Sequence, residues 1–106
     1  MANGFLGRAM SVANTNVKVY TVPAGVEFAT VSIVACNTGA APATLKVAVS
    51  LADTPAVVDH IEYGAALEAN GGILQINCII LSAGEKLIVN ASTATVAVRV
   101  HGLEQA

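Results

Sequence analysis

Hydrophobic and polar residues alternate along four stretches of the chain. In each stretch β-branched residues occupy many of the apolar positions. Period-two alternation of this kind is typical of β-strands that bury one face. The residues predicted to face the core are Val17, Val19 and Thr21; Val31, Ile33 and Ala35; Leu45, Val47, Val49 and Leu51; and Val96, Val98 and Val100.

Residues 73–81 are apolar on both alternating faces, so the pattern is less clear there. One face carries Gln75 and Asn77 at its middle. The opposite face is therefore predicted to be the core face, and it consists of Leu74, Ile76, Cys78 and Ile80.

Two further segments complete the set of strands. Leu87 and Val89 predict another inward pair, and residues 60–63 predict a short strand. Turn-forming residues separate the strands at 23–25, 37–39, 53–55, 70–72 and 82–84.

Strands spaced about 8–12 residues apart with glycine turns between them indicate a sandwich or a small barrel. The sequence Val-Pro-Ala-Gly at 22–25 has an echo in Leu-Ser-Ala-Gly at 81–84, and each precedes a pair of strands. The fold predicted is an all-β protein with a single antiparallel β-sandwich of about seven or eight strands, either a jelly roll or an Ig-like Greek key. Residues 1–14 are predicted to be an extended N-terminal arm, because apart from Phe5 and Leu6 they are mostly small and polar, and residues 15–106 are predicted to be the β-sandwich domain.

Composition narrows the possible functions. Only 11% of the 106 residues are charged and the net charge is −2, so no basic field for nucleic acid or for a membrane surface is present. The mean hydropathy is +0.68, yet the longest charge-free stretch, 28–45, contains polar residues and a proline and does not suit a bilayer span. Residues 1–8 do not resemble a secretory signal, so we expect a soluble protein made in a reducing cytoplasm. High hydropathy with few charges indicates a surface partly covered by other subunits.

One group of residues resembles a set of metal ligands. Asp59, His60 and Glu62 lie close together in sequence, and His101 is a further candidate in the last strand. The same residues can be ordinary polar side chains on the surface beside a turn. We expect neither a metal nor a cofactor.

Two cysteines, Cys36 and Cys78, leave a disulfide or two small buried apolar side chains as alternatives. The second is favoured because the chain has neither a secretory signal nor a Cys-x-x-Cys spacing.

No Gly-x-Ser-x-Gly turn or other local catalytic signature is present, and the acidic residues are scattered near turns. We therefore expect no enzymatic activity and assign no catalytic residue.

Six segments together resemble a known class of proteins. They are residues 1–8 (MANGFLGR), 20–25 (YTVPAG), 36–39 (CNTG), 61–63 (IEY), 82–86 (SAGEK) and 98–102 (VRVHG). The chain resembles small virion structural proteins of tailed bacteriophages, notably those of cyanobacteria and other aquatic bacteria. The resemblance implies a non-enzymatic capsid decoration (cement) protein, made in the host cytoplasm and located in the virion. A tail, neck or fibre module and a carbohydrate-binding module for host attachment are the alternatives.

The expected partners follow from this interpretation. They are copies of the same chain, with a trimer favoured, and the major capsid protein or tail and fibre proteins. Phe5, Leu6 and Arg8 are the candidate interface residues, because an arm carrying an exposed aromatic ring suits docking into an apolar pocket of a neighbour.

Overall fold

A computed structural model describes residues 3–106, and within them the chain forms eight β-strands and one short 3-10 turn at Val57–Asp59. This part of the chain contains no helix of the length and apolar character needed to cross a membrane. The strands are β1 (Asn3–Met10), β2 (Val17–Thr21), β3 (Phe28–Asn37), β4 (Ala43–Ser50), β5 (His60–Leu67), β6 (Ile73–Ser82), β7 (Lys86–Ala91) and β8 (Val96–Gln105).

The described strands form two four-stranded antiparallel sheets that pack face to face. The first sheet has the order β1-β8-β3-β6 and the second the order β2-β7-β4-β5. Counted along the chain, the first strand pairs with the last, the second with the seventh, the third with the sixth and the fourth with the fifth. This nested pairing is the connectivity of a jelly roll. The predicted antiparallel β-sandwich is confirmed, and its strand order is that of the jelly roll rather than of an Ig-like fold.

The core lies between the two sheets and consists of the inward side chains of nearly every strand. The predicted inward residues of β3, β7 and β8 are confirmed, since Val31, Ile33, Ala35, Leu87, Val89, Val96, Val98 and Val100 are all buried. Burying one Val, Leu or Ile side chain contributes roughly 1.5–3 kcal/mol, so these residues dominate the stability of the sandwich.

The predicted core face of β6 is half wrong, because the strand contains a β-bulge. Leu74 and Ile76 pack against the core as predicted. Beyond them the pairing with β3 shifts by one residue, and Cys78 takes a left-handed conformation with φ of 60°. The extra residue reverses the faces, so Ile79 is buried and Ile80 is exposed.

The predicted arm is, over residues 3–10, a strand of the sandwich. β1 pairs with β8 along its length, and Leu6 and Ala9 pack against the core. A shift in register between Phe5 and Gly7 places Leu6 inward although its neighbours do not alternate strictly. Residues 1 and 2 of the predicted arm lie outside the described residues. The backbone ladder to β8 therefore orders a segment whose side chains alone gave a weak strand signal.

The connection between β4 and β5 folds across the outer face of the second sheet. Asp53 forms ion pairs with Lys18 of β2 at 3.2 Å and with Lys86 of β7 at 3.7 Å. Ile88 is buried although it does not belong to the core between the sheets, which is consistent with cover from this connection. Leu51, predicted to continue the inward face of β4, lies in the connection instead and is exposed.

Candidate interaction surface on the outer face of the first sheet

The outer face of the first sheet carries several large apolar side chains that the sandwich leaves exposed. Half of the twelve exposed large hydrophobic residues in the described part of the chain lie on it. Contiguous exposed apolar surface on a small protein marks a contact site more often than an accident of composition. The six residues are Phe5, Met10, Phe28, Ile73, Ile80 and Leu103.

Charges divide unevenly between the two sheets. The three lysines of the chain, Lys18, Lys46 and Lys86, all lie on strands of the second sheet. The two arginines, Arg8 and Arg99, lie on the first. Within residues 3–106 no carboxylate side chain lies on the outer face of the first sheet, since the one on its strands, Glu104, turns between the sheets to accept a hydrogen bond from the Tyr20 hydroxyl.

Part of this outer face is concave. A trough of about 560 Å³ lies over β1, β8 and β3. We call it the arginine trough. Met10, Val34, Cys36 and Ala97 give it apolar walls, and Arg8 and Arg99 supply its charge.

Strand pairing brings the two arginines together. Arg8 lies directly opposite Arg99 in the β1–β8 ladder, and Arg99 lies opposite Val34 in the β8–β3 ladder. The Arg99 guanidinium lies 4.7 Å from the centre of the Phe5 ring, a cation–π contact. Neither arginine forms a salt bridge with any residue between 3 and 106. Like charges directly opposite each other destabilise a sheet, so an anion bound between them would be stabilising.

The three candidate interface residues have different positions. Phe5 and Arg8 are exposed on the outer face, whereas Leu6 is half-buried and packs against the core. Arg99, Met10 and the walls of the trough were not identified from the sequence. The alternation of β8 places Arg99 outward, but its position beside Arg8 depends on pairing between the two ends of the chain.

The residues considered as metal ligands do not converge. His60 and Glu62 lie on β5 in the second sheet, and His101 lies on β8 in the first. The His60 ring contacts the Ala56 carbonyl oxygen at 3.1 Å and packs edge-on against Tyr63 at 4.8 Å between ring centres. Among the described residues no three His, Cys, Asp or Glu side chains lie close enough together to hold a metal ion.

Both cysteines are free. Cys36 pairs with Ile73 in the β3–β6 ladder, and Cys78 lies five residues further along β6. At about 3.3 Å per residue this separation is roughly 16 Å, well beyond the 7 Å limit for the Cα atoms of a disulfide. The interpretation as two buried side chains is only partly correct, because Cys36 is half-buried in the trough and Cys78 is exposed at the bulge.

Comparison of the chain with protein-family models, with curated proteins and with solved structures gave no match.

Proposed function

We propose that this protein is a non-enzymatic structural protein that works by repeated protein–protein contacts through the outer face of its first sheet. The observation that carries the proposal is the combination of uncovered apolar surface with two arginines that have no acidic partner among the residues the structure describes. A protein of this kind contributes buried area and geometry to an assembly rather than a reaction.

The composition of the face supports an interface. Protein–protein interfaces are enriched in Phe, Met and Arg and depleted of Lys, Glu and Asp. The outer face of the first sheet carries Phe5, Met10 and both arginines, while the lysines lie on the other sheet. Six exposed hydrophobic side chains thus share one face with both arginines, which supports a docking surface there.

The resemblance of the sequence to small virion proteins supplies the setting. In the proposal the protein is a capsid decoration protein of a tailed bacteriophage, it binds the major capsid protein, and it forms a homo-oligomer, with a trimer favoured. The jelly roll occurs in many viral capsid domains, which is support by analogy of fold alone.

Binding to a carbohydrate has less support. Carbohydrate recognition commonly uses exposed aromatic rings as stacking platforms. Here the Arg99 guanidinium lies over Phe5, and the Lys46 ammonium lies 4.6 Å from the centre of the Tyr63 ring.

Two residues of equal exposure allow a matched test. Leu103 on the first sheet and Ile61 on the second are both 46% exposed. A charge buried without a partner in an interface costs several kcal/mol, so we expect Leu103→Asp to lose co-sedimentation with capsids stripped of the protein. Ile61→Asp should bind as the wild type does.

The same experiment can contradict the proposal. Equal binding by the two variants would show that the outer face of the first sheet is not the interface. If mass spectrometry did not detect the protein in purified virions, the proposed structural role would be wrong. Immunolabelling of the tail or fibres instead of the capsid would favour the tail, neck or fibre module.

A further inference from the structure

A segment with highly exposed apolar side chains lies on the face opposite the arginine trough. Residues 51–59 cross the outer side of the second sheet, and we call them the ridge. Leu51, Val57 and Val58 are 67%, 74% and 89% exposed, the highest values among the large hydrophobic residues described. A segment of nine residues that exposes its three large apolar side chains to this extent has the character of the buried part of a contact.

The acidic side chains lie on the ridge and the basic ones in the trough, although Asp53 is already ion-paired with Lys18 and Lys86. The ridge contains Asp53 and Asp59 and no basic residue, whereas the trough contains two arginines. The Asp53 side chain is 70% exposed, and both of its ion pairs use the same oxygen, Oδ1. Its second oxygen is therefore available to accept hydrogen bonds from a guanidinium.

The ridge is also held in shape before any contact forms. The Asp59 carboxylate accepts a hydrogen bond from the Ala56 N–H at 2.9 Å, and the Lys86 ammonium donates to the Leu51 carbonyl oxygen. Together with the ion pairs of Asp53, these contacts fix both ends of the segment. A segment ordered in advance loses little conformational entropy on docking.

We propose that the arginine trough of one copy receives the ridge of a second copy of the same chain. Val57 and Val58 lie against Met10 and the other apolar walls, and the ridge carboxylates approach the two arginines. This inference rests on the proposed structural function and names the partner of the trough.

The geometry selects a head-to-tail contact. A symmetric contact of trough with trough would place the arginines of one copy against those of the other, which is unfavourable. Ridge and trough lie on opposite faces, so every copy offers one of each, and the contact is heterologous. Repetition of such a contact gives a ring where the rotation closes and a filament where it does not.

Pure protein in solution provides the test, without virions. Static light scattering over a range of concentrations should show association of the wild type. The double variant Arg8→Gln, Arg99→Gln and the double variant Val57→Ser, Val58→Ser should each weaken this association about tenfold or more. All four side chains are exposed, so the melting temperatures should stay close to that of the wild type.

Mixing the two double variants gives the sharpest result. The first retains its ridge and the second retains its trough, so the mixture has one intact junction and should form dimers and nothing larger. Each variant alone should be monomeric where the mixture is dimeric.

Two control variants separate this contact from general adhesion. Lys46→Gln removes a positive charge from the second sheet, and Ile80→Ser removes a 66% exposed side chain from the far end of the first. Both should associate as the wild type does. Equal weakening by the controls, a mixture that stays monomeric, or a wild type that is monomeric up to its solubility limit would each overturn the inference. Particle binding by Leu103→Asp and Ile61→Asp is measured separately, so failure of the ridge contact leaves the structural function standing.

Discussion

Two adjacent residues of β8 face opposite environments. Val98 is 2% exposed in the core, and Arg99 is on the outer face. We expect Val98→Asp to unfold the protein, because a buried charge without a partner costs several kcal/mol and a domain of this size has about 5–15 kcal/mol of stability. Arg99→Asp should melt within a few degrees of the wild type. Thermal denaturation followed by circular dichroism measures both, and the reverse order of stability would mean that the register of β8 is off by one residue.

A substitution at Cys78, the bulge residue of β6, should increase the stability of the fold. Cys78 holds φ of 60°, a conformation that costs a residue with a Cβ atom roughly 1–2 kcal/mol and costs glycine almost nothing. Its exposed side chain contributes little packing. Cys78→Gly should therefore stabilise the protein by about 0.5–1 kcal/mol in urea denaturation.

Cys36→Gly is the matched control for this change. Cys36 lies in the same ladder with an ordinary strand conformation, so the same substitution should destabilise there. If both changes destabilise equally, residue 78 does not take the left-handed conformation.

At the scale of elements, the first strand, β1, is held in the sandwich by its pairing with the last strand, β8. Residues predicted to be an arm should, as an arm, be removable without effect on the fold. Because β1 pairs with β8 and places Leu6 and Ala9 against the core, deletion of residues 1–10 should lower the melting temperature by roughly 10 °C or more, given that ~1 kcal/mol corresponds to about 4–8 °C in a domain of this size.

Two point variants resolve the same question at finer detail. Leu6→Ser should be destabilising and Phe5→Ser nearly neutral, since only Leu6 packs against the core. An unchanged melting temperature after the deletion would instead support a detachable arm.

Strand faces could be predicted where one face is purely apolar and the other mixed. β3 and β8 satisfy this condition, and their inward residues were correctly predicted. The prediction for β6 failed although strict alternation gives it one apolar face, because residues 78–81, where the extra residue enters, are apolar on both faces and no periodicity marks the bulge there. Leu51 was misplaced for a related reason, since alternation alone does not mark the residue at which β4 ends and the chain turns outward.

The candidate surface was only partly predictable. Phe5 and Arg8 were identified as part of an N-terminal segment whose aromatic ring suits docking, and both lie on the outer face. Arg99 was missed because its position beside Arg8 arises from pairing across about 90 residues of sequence. Local patterns give the direction of each side chain, whereas a site assembled from two distant strands requires the topology.

At the scale of the whole molecule, a hydrogen bond between two side chains joins the two sheets near the edge of the core. The Tyr20 hydroxyl of β2 donates to the Glu104 carboxylate of β8 at 2.6 Å. Burial of the ring, and then the hydrogen bond to and negative charge of Glu104, raise the pKa of Tyr20 well above the ordinary value of 10.0. The folded protein thus retains a proton that the unfolded chain releases above that pH.

The stability contributed by this proton is complete below pH 10 and is lost as the pH rises above it, because only the unfolded state then gains from deprotonation. We expect the melting temperature to fall between pH 10 and pH 12 by more in the wild type than in Tyr20→Phe. Tyr63→Phe changes an exposed ring of the second sheet, and its melting temperature should fall over this pH range as much as that of the wild type. Equal alkaline losses in wild type and Tyr20→Phe would contradict the role of this contact.

The nested pairing of strands also favours an order in which the strand pairs form during folding. The innermost pair, β4 with β5, closes a short loop, whereas β1 with β8 joins segments at the two ends of the chain. The entropic cost of closing a loop rises with the length of chain enclosed, and contacts between distant segments form slowly. The inner hairpin can form while the outer strands are still apart, and each pair outside it then has a shorter gap to close. During synthesis β1 leaves the ribosome before β8, and the arginine trough between them can form only after the six intervening strands have been made.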